Sequence, residues 1–291
     1  MKTIIVGAVQ NYGWRQCEVW YRSLRLSGFE GEVHLIEYPT IPLSPSTATS
    51  PQMRRASNLG GMAQREKIIM HQCELKARDL VVGRFLDLAN LCKTFPRGAW
   101  VVFTDVGDIV FQRNPEAFLE SVPEGKNIVA ASEGIRFKSN EWVRNNMLAA
   151  FPDQWEAMKD ELLYNAGSIA ARAGVFAELA ANVYAMCMDA QRGARFQDQA
   201  ALNCLLRHER YARQTLFTRA NDGWCFCAAS STFAKPEDKK GYEERPAVIR
   251  GGRCYVEAGE PVMFHHYSRD KGTKLKVERC VLSHQRLAVS G

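Results

Sequence analysis

Two acids set close together at the end of an apolar run are the residues of this chain best placed to do chemistry. Ala99-Trp100-Val101-Val102-Phe103-Thr104 leads straight into Asp105-Val106-Gly107-Asp108. Two carboxylates about 4 Å apart repel by roughly 4 kcal/mol at an effective dielectric of about 20, so they need a shared cation or generous solvent. Oxygen ligands suit a hard divalent ion, Mg²⁺ or Mn²⁺. Gly107 lets the backbone turn tightly and lets a ligand come close. Acids and glycine also make ordinary solvated turns. Against that, the chain returns at once to Ile109-Val110-Phe111, which holds the turn between two buried segments.

The elements that must position these acids follow from hydrophobic period. The unbroken β-branched and aromatic run before Asp105 fits a strand buried on both faces, and it puts the acids at a strand's carboxyl end. In open α/β sheets ligands bind at that edge. Thr3 to Val9 is predicted as the first strand, followed by Gln10-Asn11-Tyr12-Gly13. Trp14, Cys17, Trp20, Tyr21 and Leu24 then recur at three- and four-residue steps, as in a helix packed on a sheet. Glu32 to Glu37 supplies the next strand, completing a βα unit. Pro39 to Gly61, rich in Pro, Ser, Thr, Asn and Gly, is expected to be a functional loop at the rim of a site, with Arg54 and Arg55 able to meet an anion. Gln64 to Phe95 is expected to form two helices, the second with Leu80, Val81, Phe85, Leu88, Leu91 and Cys92 on one face. Arg84 falls in that stripe and must be paired there or point at the ligand side of the sheet, because a buried unpaired charge is costly.

Further on, Asn127 to Ser132 reads as a strand with Glu133 and Arg136 at its end, and Asn140 to Lys159 carries two short helical patterns. Gly174 to Gln191 is an amphipathic helix, and Arg195 to Asn203 opens another. Lys235 to Glu260 is expected to be a loop. Val262 to Tyr267 ends a strand on His265 and His266, which strand alternation would put on opposite faces. A basic run, Arg269, Lys271, Lys274 and Lys276, follows.

The segment from Val102 to Asp108, continued by Val110-Phe111-Gln112-Arg113-Asn114-Pro115, resembles the acidic metal-binding motif of nucleotide-sugar glycosyltransferases of the GT-A fold, in a variant with one extra residue between the acids. Leu162 to Ala170 and Arg195 to Asn203 are similar to two later segments of that family. The resemblance implies an α/β fold of GT-A (Rossmann-like) type, a mixed sheet with helices on both faces. It would be one domain over 1–291, with 1–115 the nucleotide-binding half and 116–291 the acceptor-side half. By the same resemblance Ala8, Gln10, Asn11 and Tyr12 hold base and ribose, and Arg84 and Asp105 contact the donor. Asn165 faces the donor sugar, and Asp198 and Gln199 line the acceptor side as the catalytic pair. A late histidine completes the metal site with Asp105 and Asp108, His266 being expected over His265, while Lys271 or Lys274 holds the diphosphate. An inverting enzyme would use Asp198 or Glu133 as base; the likeness around Asn165 and Asp198 is to retaining members, with Gln199 beside the anomeric carbon.

Composition bounds the rest. A chain of 291 residues with 46% apolar residues can bury a large core. Nine cysteines without a framework suit a reducing cytosol. Cys225 and Cys227 alternate with Trp224 and Phe226, but no further zinc ligands stand at the usual spacings. Met1 to Val9 is too short to span a membrane and shows no cleavage pattern. A net charge of +6 suits anionic ligands or a peripheral contact with an anionic inner membrane face, and nothing in the chain marks a nucleic-acid binder. The expected protein is cytoplasmic and transfers a hexose from a nucleotide-diphosphate sugar to a glycan or glycolipid, such as a bacterial surface glycan, with Mn²⁺ or Mg²⁺. A metal-dependent nucleotidyltransferase or phosphoesterase, and a non-catalytic sugar-nucleotide binder, are the alternatives.

Overall fold

Alternation along the central strands divides one sheet between two apolar cores, and that division sets the architecture. The protein, seen as a computed structural model, is described over residues 2–38, 51–75, 79–190, 197–234 and 240–288, with backbone alone for 51–57 and 284–288. The elements are β1 (Thr3–Gln10), α1 (Trp14–Leu26), β2 (Glu32–Tyr38), α2 (Pro51–Arg65), β3 (Ile69–Gln72), α3 (Leu80–Cys92), β4 (Trp100–Thr104) and β5 (Ile109–Phe111). Then come α4 (Pro115–Glu120), β6 (Ile128–Arg136), α5 (Glu141–Ala150), α6 (Trp155–Met158), β7 (Leu162–Tyr164), β8 (Ser168–Arg172), α7 (Ala173–Asp189) and α8 (Gln197–Arg207). The last are α9 (Glu209–Ala212), β9 (Thr215–Thr218), β10 (Cys225–Cys227), β11 (Val248–Arg250), β12 (Arg253–Tyr255), β13 (Met263–His265) and α10 (Lys271–Ala288).

The large sheet runs β3-β2-β1-β4-β8-β6-β7, with β9 on β6. β3, β2, β1 and β4 are parallel, whereas β8 runs antiparallel to both β4 and β6. Ile4, Val6, Val101 and Phe103 enter one core with Phe85, Leu88, Phe176 and Leu202 from α3, α7 and α8. Ile5, Val9, Trp100 and Val102 enter the other with Trp14 and Trp20 of α1 and Leu59 and Ala63 of α2. This is the mixed sheet with helices on both faces that was expected. Each fully buried large apolar side chain contributes about 1.5–3 kcal/mol, so β4 is held from both sides and the acids that follow it inherit a fixed base. A second sheet, β10-β13-β5, stands beside the first.

Three expectations fail. Residues 51–65 form α2 rather than continuing a loop; 39–50 and the side chains of Arg54 and Arg55 lie outside the described residues. In place of the first of two helices after Gln64 the chain ends α2 and makes β3, an edge strand whose Ile69 is exposed, so its apolar period was faint. The 235–260 stretch contains a hairpin, β11–β12, closed by Gly251 and Gly252 at φ 58° and 86°. Two left-handed residues are what a two-residue hairpin turn requires. Among the described residues no helix is long and apolar enough to cross a membrane.

Candidate active site

The acidic turn is built by two close approaches that only glycine permits. Asp105 leaves β4 with its N–H donating to the Gly167 carbonyl at 2.9 Å, and a Cβ on Gly167 would run into the Asp105 carboxylate. On the other side a Cβ on Gly107 would stand 2.7 Å from the Tyr12 hydroxyl, so Tyr12 lies against the turn. Its burial, with the charges of Asp108 and Asp105, pushes the phenol upward. After the turn β5 pairs antiparallel with β13, Ile109 opposite His265, and this pairing carries the histidines to the acids.

His265 is wholly buried, and its Nε2 lies 3.3 Å from Asp108 Oδ1 and 3.5 Å from Asp105 Oδ2 without a properly directed hydrogen bond. Strand alternation should have kept His266 away. Instead β13 ends at His265, His266 turns into the left-handed region at φ 62°, and its N–H donates to the Asp108 carbonyl at 2.9 Å. The two imidazoles stack with centroids 3.7 Å apart, and ligand atoms of Asp108, His265 and His266 lie within 4.8 Å of one another. The pair is therefore not split between faces, and His265 is the member facing both acids.

Arg84 answers the question its position in an apolar stripe raised. Buried over the Phe103 ring, it donates from Nη1 to Asp105 and from Nη2 to Asp198 Oδ2 at 3.0 Å. Burial alone would raise the Asp105 carboxyl, but Arg84 and His265 outweigh it and hold it well below the usual carboxylate range. Asp108 is likewise lowered, burial being overcome by the His265 charge. Seen from the other side, burial disfavours a charged His265, yet Asp108 and Asp105 hold it well above an ordinary histidine. Burial and that neighbouring charge pull His266 down to about 4. For Asp198 burial wins over Arg84, and the carboxyl is raised. The repulsion anticipated between the acids is thus balanced by a guanidinium and an imidazolium.

A fourth carboxylate organises the space in front. Glu133 Oε1 accepts from Asn165 Nδ2 and from Gln199 Nε2, both at 2.9 Å, and its Oε2 accepts from the Ser230 hydroxyl at 2.8 Å. The Asn165 side-chain oxygen Oδ1 in turn accepts from the Gly167 N–H at 2.7 Å. Asn203 clamps the same loop, donating to the Tyr164 and Gln199 carbonyls at 2.7 Å. These groups open on a cavity of about 550 Å³ that also reaches Arg84, Asp105, Asp198, His266, Arg269 and Trp142.

No protein-family model matches the chain, nor does any curated protein. Solved structures do. It superposes on the apo form of the glycosyltransferase GlyE of Streptococcus pneumoniae TIGR4 with a TM-score of 0.57 at 13% identity, covering 99% of this chain and 64% of that one. On the galactosyltransferase LgtC, solved with donor and acceptor sugar analogues, the TM-score is 0.53 at 16% identity over 94% of each chain. The fold is GT-A. The chain spans just under two thirds of the length of GlyE.

Within this GT-A frame Asp105, Arg84, Asn165, Asp198, Gln199 and His266 line one cavity, Asp108 stands behind it against His265 and His266, and Tyr12 lies on the acid turn at Gly107. Ala8 and Gln10 close β1 opposite Ile36 and Tyr38 of β2, Asn11 follows them, and none of the three lines the cavity. Lys271 and Lys274 are exposed on α10, where Lys274 lies 3.8 Å from Glu278; of that basic run it is Arg269, in the 3₁₀ turn before α10, that reaches the cavity. His266 was expected to meet the acids in preference to His265; both come to them, because β13 stops at His265 and the sequence does not show where it stops. The cysteine pair also gains what its spacing lacked: Cys227 Sγ is 3.9 Å from His265 Nδ1, and Cys225, Cys227 and His265 form a second compact group. For a hard ion the residues on the Nε2 side fit, since two carboxylates and an orphaned imidazole nitrogen are a donor set that Mn²⁺ accepts.

Proposed function

We propose that this chain is a glycosyltransferase that moves a sugar from a nucleotide-diphosphate sugar to a hydroxyl of a glycan or glycolipid, with Mn²⁺ or Mg²⁺. The observation that carries this is the convergence of Asp105, Asp108 and the unpartnered Nε2 of His265 at the carboxyl end of β4. Asp105, Asp108 and His265, with His266 beside them, would hold the ion, which supplies counter-charge to the departing diphosphate. Arg84 keeps Asp105 ionised and in place, and Arg269 offers the diphosphate a second cation. The end of β1, Ala8 to Tyr12, would take the base and ribose. Glu133 fixes the amides of Asn165 and Gln199 so that both face the transferred sugar.

Retention is favoured by what the carboxylates are doing. Of those lining the cavity, Asp105 and Asp198 are committed to Arg84, and Glu133 accepts from three donors. None is disposed as a base for the acceptor. The new bond to the acceptor oxygen would form on the face from which the phosphate oxygen leaves, and that oxygen would take the acceptor proton. Asp198 then acts through Arg84 as a positioning residue, and Gln199 lies beside the anomeric carbon. The nine free cysteines and the exposed Lys271, Lys274 and Lys276, on a chain of net charge +6, support a cytoplasmic enzyme that touches an anionic membrane face peripherally.

The test is product analysis of a panel of nucleotide sugars with free saccharides and Mn²⁺. Sugar transfer with release of nucleoside diphosphate, lost with EDTA and in Asp108→Asn, is the expected outcome. Release of a sugar phosphate would identify a phosphoesterase, and nucleotide binding without turnover a non-catalytic binder.

A further inference from the structure

We infer that Trp142 is the platform on which the acceptor's sugar ring lies, which makes the acceptor at this end of the cavity a saccharide. This rests on the transferase assignment above. The cavity has two unlike walls. Its inner wall is charged and buried: Asp198, Glu133 and Asn165 are 5%, 7% and 3% exposed. Its outer wall carries Trp142, 54% exposed, two residues after Asn140, which also lines the cavity. Of the large apolar side chains left exposed among the described residues, Trp142 alone lines this cavity.

The fold holds that indole where it is. Asn140 caps α5, its side chain accepting from the Val143 N–H at 3.1 Å, and Val143 and Met147 are buried in the core. Trp142, one residue before Val143, is therefore turned out of the core on a fixed helix. A pyranose presents an apolar C–H face ringed by hydroxyls. A flat indole in a cavity that the Asn140 amide also lines complements both, as in small-molecule sites where aromatic walls carry a few polar groups. The diphosphate end of the donor belongs with the ion proposed at Asp105 and Asp108, so the group that meets Trp142 is the one arriving from solvent.

The experiment titrates the whole chain, with indole nitrogens labelled, with lactose, maltose and cellobiose in the presence of Mn²⁺ and a nucleoside diphosphate. Six tryptophans give six indole N–H signals, and the one absent in Trp142→Phe is that of Trp142. At least one disaccharide should move this signal, and its dissociation constant should weaken about ten-fold in Trp142→Ala and less in Trp142→Phe. If no disaccharide moves the signal, or Trp142→Ala binds as the wild type does, the inference is overturned. Should Trp142→Ala not fold, the wild-type shift and the Trp142→Phe constant still decide it. Nucleotide binding is read separately on the wild type: disaccharide binding at Trp142 with no metal-dependent nucleotide binding would overturn the transferase assignment and the acceptor role with it.

Discussion

Gly167→Ala probes the acid turn without altering a polar atom. The added Cβ would fall inside the Asp105 carboxylate and 2.9 Å from its Oδ1, and Asp105 is no loose chain end, being held by Arg84 and flanked by His265. Gly167 is not in the left-handed region, so the effect is steric rather than a backbone penalty. Asp105 must retreat by about 1 Å, and overpacking of this kind costs about 1–3 kcal/mol. We expect the upper end, because the retreat also strains the buried pair with Arg84. A misplacement of about 1 Å at a reacting centre can cost on the order of a hundred-fold in rate. Urea unfolding and Mn²⁺ titration by calorimetry measure the two consequences, with a metal affinity at least about ten-fold weaker expected. Gly98→Ala is the control: a Cβ there meets nothing within 4 Å, so stability should change by less than about 0.5 kcal/mol. A Gly167→Ala protein that unfolds with the wild type and binds Mn²⁺ equally well would refute the placement of Asp105.

Three further expectations follow from the charge network. Arg84→Leu leaves Asp105 and Asp198 buried without their cation and should cost about 3–5 kcal/mol in urea at neutral pH; the loss should shrink on acidification, because Asp198, already raised by burial, takes up a proton. In the metal-free chain the raised pKa of His265 contributes stability that is fully present below the ordinary value of 6.5 and disappears as pH rises through the elevated folded value. Mn²⁺ must displace that proton, so its affinity should rise with pH over the same range, with about one proton released per ion in calorimetry across two buffers; an affinity flat with pH would exclude His265 as ligand. Glu133→Gln turns an acceptor of three donors into a group with its own N–H₂, and should lower kcat more than the donor KM by misorienting Gln199 and Asn165. A raised KM with kcat unchanged would show that Glu133 serves binding alone.

What the sequence disclosed was local, and what it concealed was the pairing of distant segments. β4 could be read because Trp100–Phe103 is apolar on both faces, and Asp105 and Asp108 stood out by type and spacing. Arg84 stood out because a charge in an apolar stripe demands a partner, although Asp198, the partner from α8, could not be named. The choice between His265 and His266 rested on a strand that in fact ends between them, since period-two alternation holds only while the backbone stays extended. Lys271 and Lys274 attracted notice as charges, yet on an exposed helix face they have solvent, and the shorter route to the cavity belongs to Arg269. The β11–β12 hairpin had a legible signal in its adjacent glycines, which the charged residues around it obscured.

The rung between Ile109 and His265 also constrains when this protein can first become competent during synthesis. The acids emerge from the ribosome early, but the imidazole that faces them comes from the far third of the chain, so a partly made molecule owns only half of the proposed metal site. Divalent ions should therefore bind weakly to nascent or truncated chains and tightly only after β13 has docked.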